Sequence, residues 1–400
     1  YVEQMTRRAY DSDPLPISFT YEGYRDGNGR DAVCTPEGLD NLVFNWKMNE
    51  GSWGPVPQRL LDMQEKVKET REKRMDIREV LKFINMDEGY DNYIWSSPAE
   101  MEHDRRMYVI PTDKFMLPIE DKDAIVENGI VSEDMRDNIV DRMEWGAGGS
   151  FIYRAQLTIL DIVAHHNWER PIYFAATGGQ SAYAGLTNYF FLEGLIFQIK
   201  PLTTGPKSRY MREKIDTDRM YQLVMEEFDW GGLNKPGINV DYYTRRPVVN
   251  FRRYYLALSD ALLQEGETTR AKDVLDKLME EFPSSAVPLD VNATYIMDAY
   301  LKTARSLEEN GESQLADECR NAANAIGEEY LIMQQQNIEY YTSMRPDLFL
   351  DATVMAQTEQ TNNMLHSTVE TLAEDSINVD MINRYQEAAN ASEEKIYTKL

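Results

Sequence analysis

The residues best suited to chemistry stand at a sharp corner of the chain. Trp168, Glu169 and Arg170 come directly before Pro171. An aromatic face beside a carboxylate and a guanidinium suits the binding of a sugar or a peptide. The alternative is structural: the indole fills a junction between a helix and a strand, and Glu169 or Arg170 makes a local ion pair. Because tryptophan most often serves packing, the pattern favours the structural interpretation.

A second group of aromatic residues lies in the loop-rich segment before residue 100. Exposed tyrosine and tryptophan faces are common in binding surfaces, so we expect any glycan or peptide groove here, although core packing would explain the same residues. The binding residues predicted from the sequence are therefore Trp46, Trp53, Tyr90, Tyr93, Trp95, Trp168, Glu169 and Arg170.

The pair His165-His166 could suggest a metal site. Adjacent residues on a helix point about 100° apart, whereas two ligands on one face need a spacing of four. Both histidines stand at a predicted helix C-terminus, where an imidazolium is favoured by the helix dipole. We therefore predict helix-end residues and no metal site.

Residues 100–104 (Glu-Met-Glu-His-Asp) form another candidate cluster. Carboxylates beside a histidine could bind a divalent ion or share a proton. Arg105 and Arg106 follow at once, which favours a solvated ionic segment.

The run Gly146-Ala147-Gly148-Gly149 precedes a predicted helix with Ser150 as its N-cap, so its amides could cradle a phosphate. The run lacks the lysine of a P-loop, and a hinge is the better interpretation. The sequence contains no complete catalytic motif. We predict no catalytic residue and no cofactor.

Composition narrows the possible partners. The 400 residues carry 68 acidic and 42 basic side chains, a formal charge of −26, which disfavours nucleic acid as a partner. The length favours two or three domains. Cys34 and Cys319 are the only cysteines in the sequence, which excludes a framework of several disulfides. No run of 18 apolar residues occurs, and because the chain opens on Tyr1 we expect it to be a piece of a longer protein.

The first half mixes helices and strands. Strands are predicted at 107–111 and 115–119 and again at 195–199. The helix after Ser150 should be largely buried and should end before Pro171. The apolar run 172–176 then predicts a strand that is covered on both faces.

The second half is helical. Residues 216–228 are predicted to form one helix. Residues 255–283 match the tetratricopeptide (TPR) spacing, with Gly266 at the turn and Pro283 closing the repeat, and a weaker copy surrounds Gly311. Helices at 364–374 and 377–397 should pack on as caps.

Together these patterns predict an α+β or α/β N-terminal domain followed by an all-α TPR-like helical-hairpin domain. The predicted boundaries are an α/β domain at 1–205, a connecting helix and loop at 206–246, and the helical domain at 247–400.

Several segments, in order, resemble one family. They are 10–16 (Tyr-Asp-Ser-Asp-Pro-Leu-Pro), 110–115 (Ile-Pro-Thr-Asp-Lys-Phe), 159–162 (Ile-Leu-Asp-Ile), 167–174 (Asn-Trp-Glu-Arg-Pro-Ile-Tyr-Phe), the Leu-x-x-Tyr-Phe-x-Leu-Glu-Gly-Leu run at 186–195, 216–221 and 228–231. These resemble the C-terminal soluble part of large bacterial multi-spanning membrane proteins. The membrane half of those proteins is similar to protein O-mannosyltransferases, glycosyltransferases of the GT-C type. The resemblance covers most of residues 1–283.

The resemblance implies an accessory role. In such enzymes the catalytic acid lies in the membrane half, so no catalytic residue is carried onto this sequence. The chain is expected to face the periplasm, to adjoin its own membrane half, and to bind acceptor protein, glycan or a partner subunit. Two rival hypotheses are a stand-alone TPR-type interaction module and a glycan-acting hydrolase that uses Glu102 and His103.

Overall fold

The computed structural model describes residues 15–19, 31–85, 91–235, 237–238, 240–375 and 379–399. The chain divides into two compact units. The first comprises Tyr1–Phe191 and Ile196–Thr204, and the second comprises Leu192–Leu195 and Gly205–Leu400. The first is mixed α/β and the second is dominated by helices, which confirms the predicted fold class.

The helices of the first unit are short. The first of them begins where the Thr35 side chain accepts a hydrogen bond of 3.1 Å from the Gly38 N–H and Pro36 supplies a fixed φ. In chain order they are α1 (Pro36–Met48), α2 (Glu50–Trp53), α3 (Gln58–Val67), α4 (Ile77–Phe83), α5 (Pro98–Glu102), α6 (Lys122–Glu127) and α7 (Arg154–His165), with 3-10 turns at Glu133–Asn138, Gln180–Tyr183 and Leu186–Tyr189.

The strands before residue 200 are also short. They are β1 (Ala32–Cys34), β2 (Met75–Asp76), β3 (Tyr93–Ile94), β4 (Met107–Tyr108), β5 (Lys114–Pro118), β6 (Arg142–Gly146), β7 (Phe151–Tyr153), β8 (Tyr173–Ala175), β9 (Phe190–Glu193) and β10 (Ile196–Ile199). β5 lies between β2, its parallel neighbour, and β6, its antiparallel neighbour. Three antiparallel pairs are β1 with β7, β3 with β4, and β8 with β10.

One hydrophobic core joins β1, α1, α3, β3 and the residue that follows β4. Its buried members are Cys34, Leu39, Leu42, Val43, Trp46, Leu60, Met63, Val67, Ile94 and Val109. Because β3 places Ile94 in this core, the core determines where the neighbouring residues Tyr93 and Trp95 lie.

The start of α7 corrects a sequence prediction. Ser150 does not cap the helix, because Phe151–Tyr153 form β7 and pair with β1. The helix begins after Tyr153, whose N–H donates to Oε1 of Gln156 over 2.9 Å. The glycine-rich run therefore leads into a strand and not into a helix N-terminus, so it offers no helix-end amides to a phosphate.

The strand after Pro171 is a second correction. It forms as predicted but is not covered on both faces, since Tyr173 and Ala175 are exposed and only Phe174 is partly buried. Phe174 packs against Phe190, with ring centroids 4.9 Å apart. β8 pairs only with β10 among the described strands, and this edge position explains its exposure.

The second unit is built from helical hairpins. After β11 (Lys214–Ile215), its helices are α8 (Thr217–Gln222), α9 (Tyr242–Gln264), α10 (Thr268–Glu281), α11 (Asn292–Glu309), α12 (Ser313–Ser343), α13 (Pro346–Phe349), α14 (Ala352–Asp375) and α15 (Val379–Lys399). Gly266 and Gly311 turn the hairpins α9/α10 and α11/α12 with φ of +82° and +83°. Both turns match the TPR-like pattern, because glycine adopts positive φ without a Cβ clash.

Two helix predictions in this unit need correction. Residues 216–228 do not form one α-helix, since α8 passes into a π-helical turn at Leu223–Glu227. The helix predicted to start at 364 begins at Ala352. Among the described helices, none combines the length and the hydropathy that a membrane span requires.

Candidate functional site

Trp46 and Trp53 pack with the core of the first unit. The Trp46 side chain is only 1% exposed, and Trp53 meets it edge to face with ring centroids 5.3 Å apart. The indole N–H of Trp46 has no hydrogen-bond partner among the described residues. Trp46 therefore presents no face to a ligand. Tyr90, another predicted binding residue, lies outside the described residues.

Trp168 is buried at the corner after α7. It is 6% exposed, and its ring lies edge to face on His166 with centroids 4.3 Å apart. Asn128 fixes the corner by donating a 3.0 Å hydrogen bond to the Trp168 carbonyl. This placement agrees with a junction-filling role. Glu169 and Arg170 are exposed beside it.

The corner has an unusual backbone. Asn167 and Trp168 both have positive φ, +51° and +58°. Asparagine tolerates this conformation, but for a bulky residue it is strained by about 1 kcal/mol or more. Burial of the Trp168 ring against His166 offsets that cost.

Tyr93 and Trp95 are brought together beside strand β3. Their rings meet edge to face, with centroids 5.4 Å apart and an interplanar angle of 85°. Tyr93 is buried, and Trp95 is partly exposed just beyond the end of the strand. Trp53 is also partly exposed beside an aromatic neighbour, but it packs against the hydrophobic core, of which Trp95 is not a member.

Arg59 of α3 stacks on this pair. Its guanidinium carbon lies 3.6 Å from the centroid of the Tyr93 ring and 5.8 Å from that of the Trp95 ring. Its Nε donates to the Tyr93 carbonyl over 2.8 Å, and Nη2 donates to the Asp91 carbonyl over 2.9 Å. A cation over an aromatic face is attracted by the ring quadrupole, so the guanidinium holds Tyr93 in place.

Arg106 and Asp104 complete the arrangement. The Arg106 guanidinium lies 4.5 Å from the Tyr93 ring centroid and forms a 2.9 Å ion pair with Asp104. The Trp95 indole N–H donates to Oδ1 of Asp104 over 3.2 Å. Arg106 is the main cause of the lowered pKa of the Asp104 carboxyl, and the Trp95 hydrogen bond adds to it. We call these side chains the Trp95 cluster: Arg59, Tyr93, Trp95, Asp104 and Arg106.

The position of Asp104 follows from how α5 ends. The Arg105 N–H donates to the Glu100 carbonyl over 2.8 Å, and the Asp104 N–H donates to the Met101 carbonyl over 3.2 Å. These bonds define a Schellman motif, in which glycine is the usual residue at the left-handed position. Asp104 occupies that position with φ of +47°. The chain thus places a carboxylate beside Trp95 where backbone geometry favours glycine.

The charged run at 100–104 forms α5 and the turn after it. Glu100 pairs with Arg105 at 3.6 Å, and Glu102 and His103 are exposed. In the described part of the chain, no group of three or more His, Cys, Asp or Glu side chains could hold a metal ion. Asp104 was read from the sequence as part of a solvated ionic segment, and its contact with Trp95 was missed.

A buried carboxylate in α7 was also missed. Asp161 is fully buried and accepts from the Ser18 N–H at 2.9 Å and from the Ser18 hydroxyl at 2.7 Å. Its Oδ1 lies 3.0 Å from Nδ1 of His165, one helical turn later, and this hydrogen bond is the main cause of the raised pKa of His165. The i, i+4 spacing of an aspartate and a histidine was the available signal.

His166 differs from its neighbour. Burial lowers its pKa to about 4. Its Nδ1 lies 2.9 Å from the Val163 carbonyl, and its Nε2 is buried without a partner among the described residues. Burial therefore favours the neutral form of His166, whereas the hydrogen bond to Asp161 favours the charged form of His165.

A comparison with protein-family models finds a match that includes the first unit. A family model described as TMEM260-associated domain 2 matches residues 1–219, more than half of the chain. The chain belongs to this family. The match includes the whole Trp95 cluster. It ends at residue 219, whereas the resemblance carried by the sequence motifs extends to residue 283. No curated protein and no solved structure is significantly similar to the chain.

Membership of this family indicates the general role of the chain. The chain is an accessory domain of a membrane glycosyltransferase-like protein. This agrees with the glycosyltransferase-like character implied by the sequence motifs.

Proposed function

We propose that this chain is the extracytoplasmic accessory part of a membrane glycosyltransferase-like protein and that the Trp95 cluster binds the glycan that the protein handles. The observation that carries the proposal is the partly exposed Trp95 ring, held in place by Asp104 and backed by Tyr93. In this proposal the chain faces the periplasm beside its own membrane half, which supplies the chemistry.

The geometry suits a neutral polyhydroxyl ligand. An indole face provides flat apolar surface for the C–H face of a sugar ring. Asp104 offers acceptors and Arg106 offers donors beside that ring, and charge-assisted hydrogen bonds to hydroxyl groups are the stronger kind. Because Arg106 already neutralises Asp104, the pair can bind hydroxyl groups without attracting a strongly charged ligand.

The Trp95 cluster is suited to holding a ligand and not to cleaving it. Its five side chains include one carboxylate, whose pKa is lowered, so this group stays ionised at neutral pH and cannot donate a proton. Its two arginines remain charged and act only as donors. Binding without catalysis is the role that these side chains support.

The test is a calorimetric titration of the whole chain with three neutral trisaccharides: mannotriose, cellotriose and chitotriose. We expect saturable binding of at least one. Trp95→Ala should weaken it about tenfold or more, since stacking and the anchoring hydrogen bond are both lost. Trp95→Phe should retain part of the affinity. Tyr153→Ala, which removes an aromatic side chain that is 60% exposed elsewhere in the first unit, is the matched control.

Two results would contradict the proposal. Either none of the trisaccharides binds at millimolar concentration, or Trp95→Ala binds as tightly as the unaltered chain. The periplasmic location is tested separately in cells that express the full-length protein. A protease added to the periplasm should cut within this chain, and protection would contradict that location.

A further inference from the structure

The second unit contains an open groove of about 470 Å³ between α11, α12 and α14. We call it the α11–α14 groove. Its lining residues are Val291, Thr294, Tyr295, Tyr330, Ala356, Glu359, Gln360, Asn363, Met364 and Ser367. This volume is within the usual range for a ligand site.

One side of the groove is a row of polar side chains on α14. Gln360, Asn363 and Ser367 follow one another at spacings of three and four, so they share one helix face. All are exposed, and their side chains make no hydrogen bond to other described residues. From Gln360 to Ser367 the row is about 10 Å long at 1.5 Å per residue.

The other side is aromatic and apolar. Tyr295 is 41% exposed, and its ring meets Tyr210 edge to face at 5.6 Å. The floor is fixed, because the hydroxyls of Thr294 and Thr368 are 2.7 Å apart and tie α11 to α14. Tyr330 is buried and points its hydroxyl at the sulfur of Met364, 3.5 Å away. The groove is therefore preformed and rigid at its base.

We propose that the α11–α14 groove binds an extended polypeptide segment that carries a lysine or arginine side chain. A primary amide has a donor and an acceptor side by side, so Gln360 and Asn363 can pair with the N–H and C=O of a peptide backbone. About three extended residues span the same 10 Å as the row, at about 3.3 Å each.

The charge of the groove lining favours a bound segment that carries a basic residue. Among the described residues that line the groove, Glu359 is the one carboxylate, and none is a lysine or arginine. Glu359 makes no ion pair with another described residue. A basic residue of the bound segment would supply its counter-ion, and acidic segments would be repelled.

The experiment is a selection of random dodecapeptides displayed on phage against the whole chain, followed by fluorescence anisotropy with the enriched peptides. We expect enriched peptides to be basic and to bind in a 1:1 ratio. The double variant Gln360→Ala/Asn363→Ala should weaken binding about tenfold or more, because the hydrogen bonds of both amides to the peptide backbone are lost. Glu359→Gln should reduce the preference for a lysine-containing peptide over its alanine counterpart by about threefold at low salt.

The matched control is Gln335→Ala/Gln336→Ala, which removes two exposed amides of α12 that do not line the groove. Its binding should equal that of the unaltered chain. The proposal is overturned if no dodecapeptide is enriched, or if the groove variant and the control bind the enriched peptides equally well. Displacement of the peptide by mannotriose would also overturn it, since the groove would then be a saccharide site. Trp95→Ala should leave peptide binding unchanged, so this test is independent of the proposed glycan site.

Discussion

The indole N–H of Trp95 donates a hydrogen bond of 3.2 Å to Asp104, a residue whose own backbone is left-handed. The Schellman motif at the end of α5 favours glycine at that position. An aspartate there keeps a carboxylate at a fixed place beside an accessible aromatic ring. This relationship links local backbone geometry to the proposed ligand site.

The role of that carboxylate is tested by two substitutions at one position. Asp104→Gly relaxes the backbone but removes the acceptor for Trp95, so we expect weaker trisaccharide binding in a chain that folds normally. Asp104→Asn tolerates positive φ and keeps an oxygen acceptor, so we expect affinity between that of Asp104→Gly and the unaltered chain. Calorimetric titration gives the affinities, and thermal unfolding checks the fold. Equal affinity in all three chains would remove Asp104 from the site.

Asp161 is predicted to be essential for the stability of the first unit. Asp161→Asn takes away the charged acceptor for Ser18 and His165, and a buried charge-assisted network of this kind contributes about 2–4 kcal/mol. Urea unfolding measures the loss, with the exposed Asp134→Asn as the control. The pKa of His165, followed by NMR, should fall towards its ordinary value. A variant that keeps both its stability and the raised His165 pKa would show that the network is unimportant.

The lowered pKa of His166 predicts that the folded chain loses stability in mild acid. Its folded-state pKa is about 4, whereas an unfolded histidine titrates near 6.5. As the pH falls through this window the unfolded chain takes up a proton that the folded chain does not, so the free energy of unfolding drops by about 3 kcal/mol. His165 has a raised pKa, so its contribution is fully present below about pH 6.5 and is lost as the pH rises through its folded pKa.

Urea unfolding at pH 7 and at pH 4.5 measures the His166 effect. In His166→Phe the difference between the two pH values should shrink, while His165→Gln should leave the acid loss in place. An unchanged difference in His166→Phe would mean that other groups cause the acid sensitivity.

Arg252 is predicted to hold the α9/α10 hairpin to the segment that follows it. This fully buried guanidinium donates to the carbonyls of Phe282, Val287 and Pro288 at 2.7–3.2 Å and to Asp290 at 2.8 Å. Lysine cannot reproduce that fork, so Arg252→Lys should cost about 3 kcal/mol. Arg253→Lys, at an exposed neighbouring position, is the control for urea unfolding. Equal midpoints for the two variants would be incompatible with this account.

Local sequence patterns predicted the two hairpins of the second unit because the contacts of each hairpin are between successive helices. The spacing of apolar residues and the glycines at 266 and 311 are sufficient to define the hairpins. The exposed strand after Pro171 was misjudged because a short apolar run does not reveal whether a strand lies at a sheet edge. Ser150 was misjudged because β7 depends on pairing with β1, far earlier in the chain.

The Trp95 cluster was only half predictable for the same reason. Their aromatic character makes Tyr93 and Trp95 candidates in the sequence, but Arg59 reaches them from a different helix. The left-handed conformation of Asp104 arises from the end of α5 and carries no obvious mark in the sequence.

The most direct test of the central claim is an NMR titration of the six indole N–H signals of the whole chain with mannotriose, cellotriose and chitotriose. We predict that one of these sugars shifts the Trp95 signal progressively to saturation and leaves the buried Trp46 signal unmoved. A Trp95 signal that stays constant up to millimolar sugar, or that moves no more than the Trp46 signal, would contradict the claim that this surface binds a glycan.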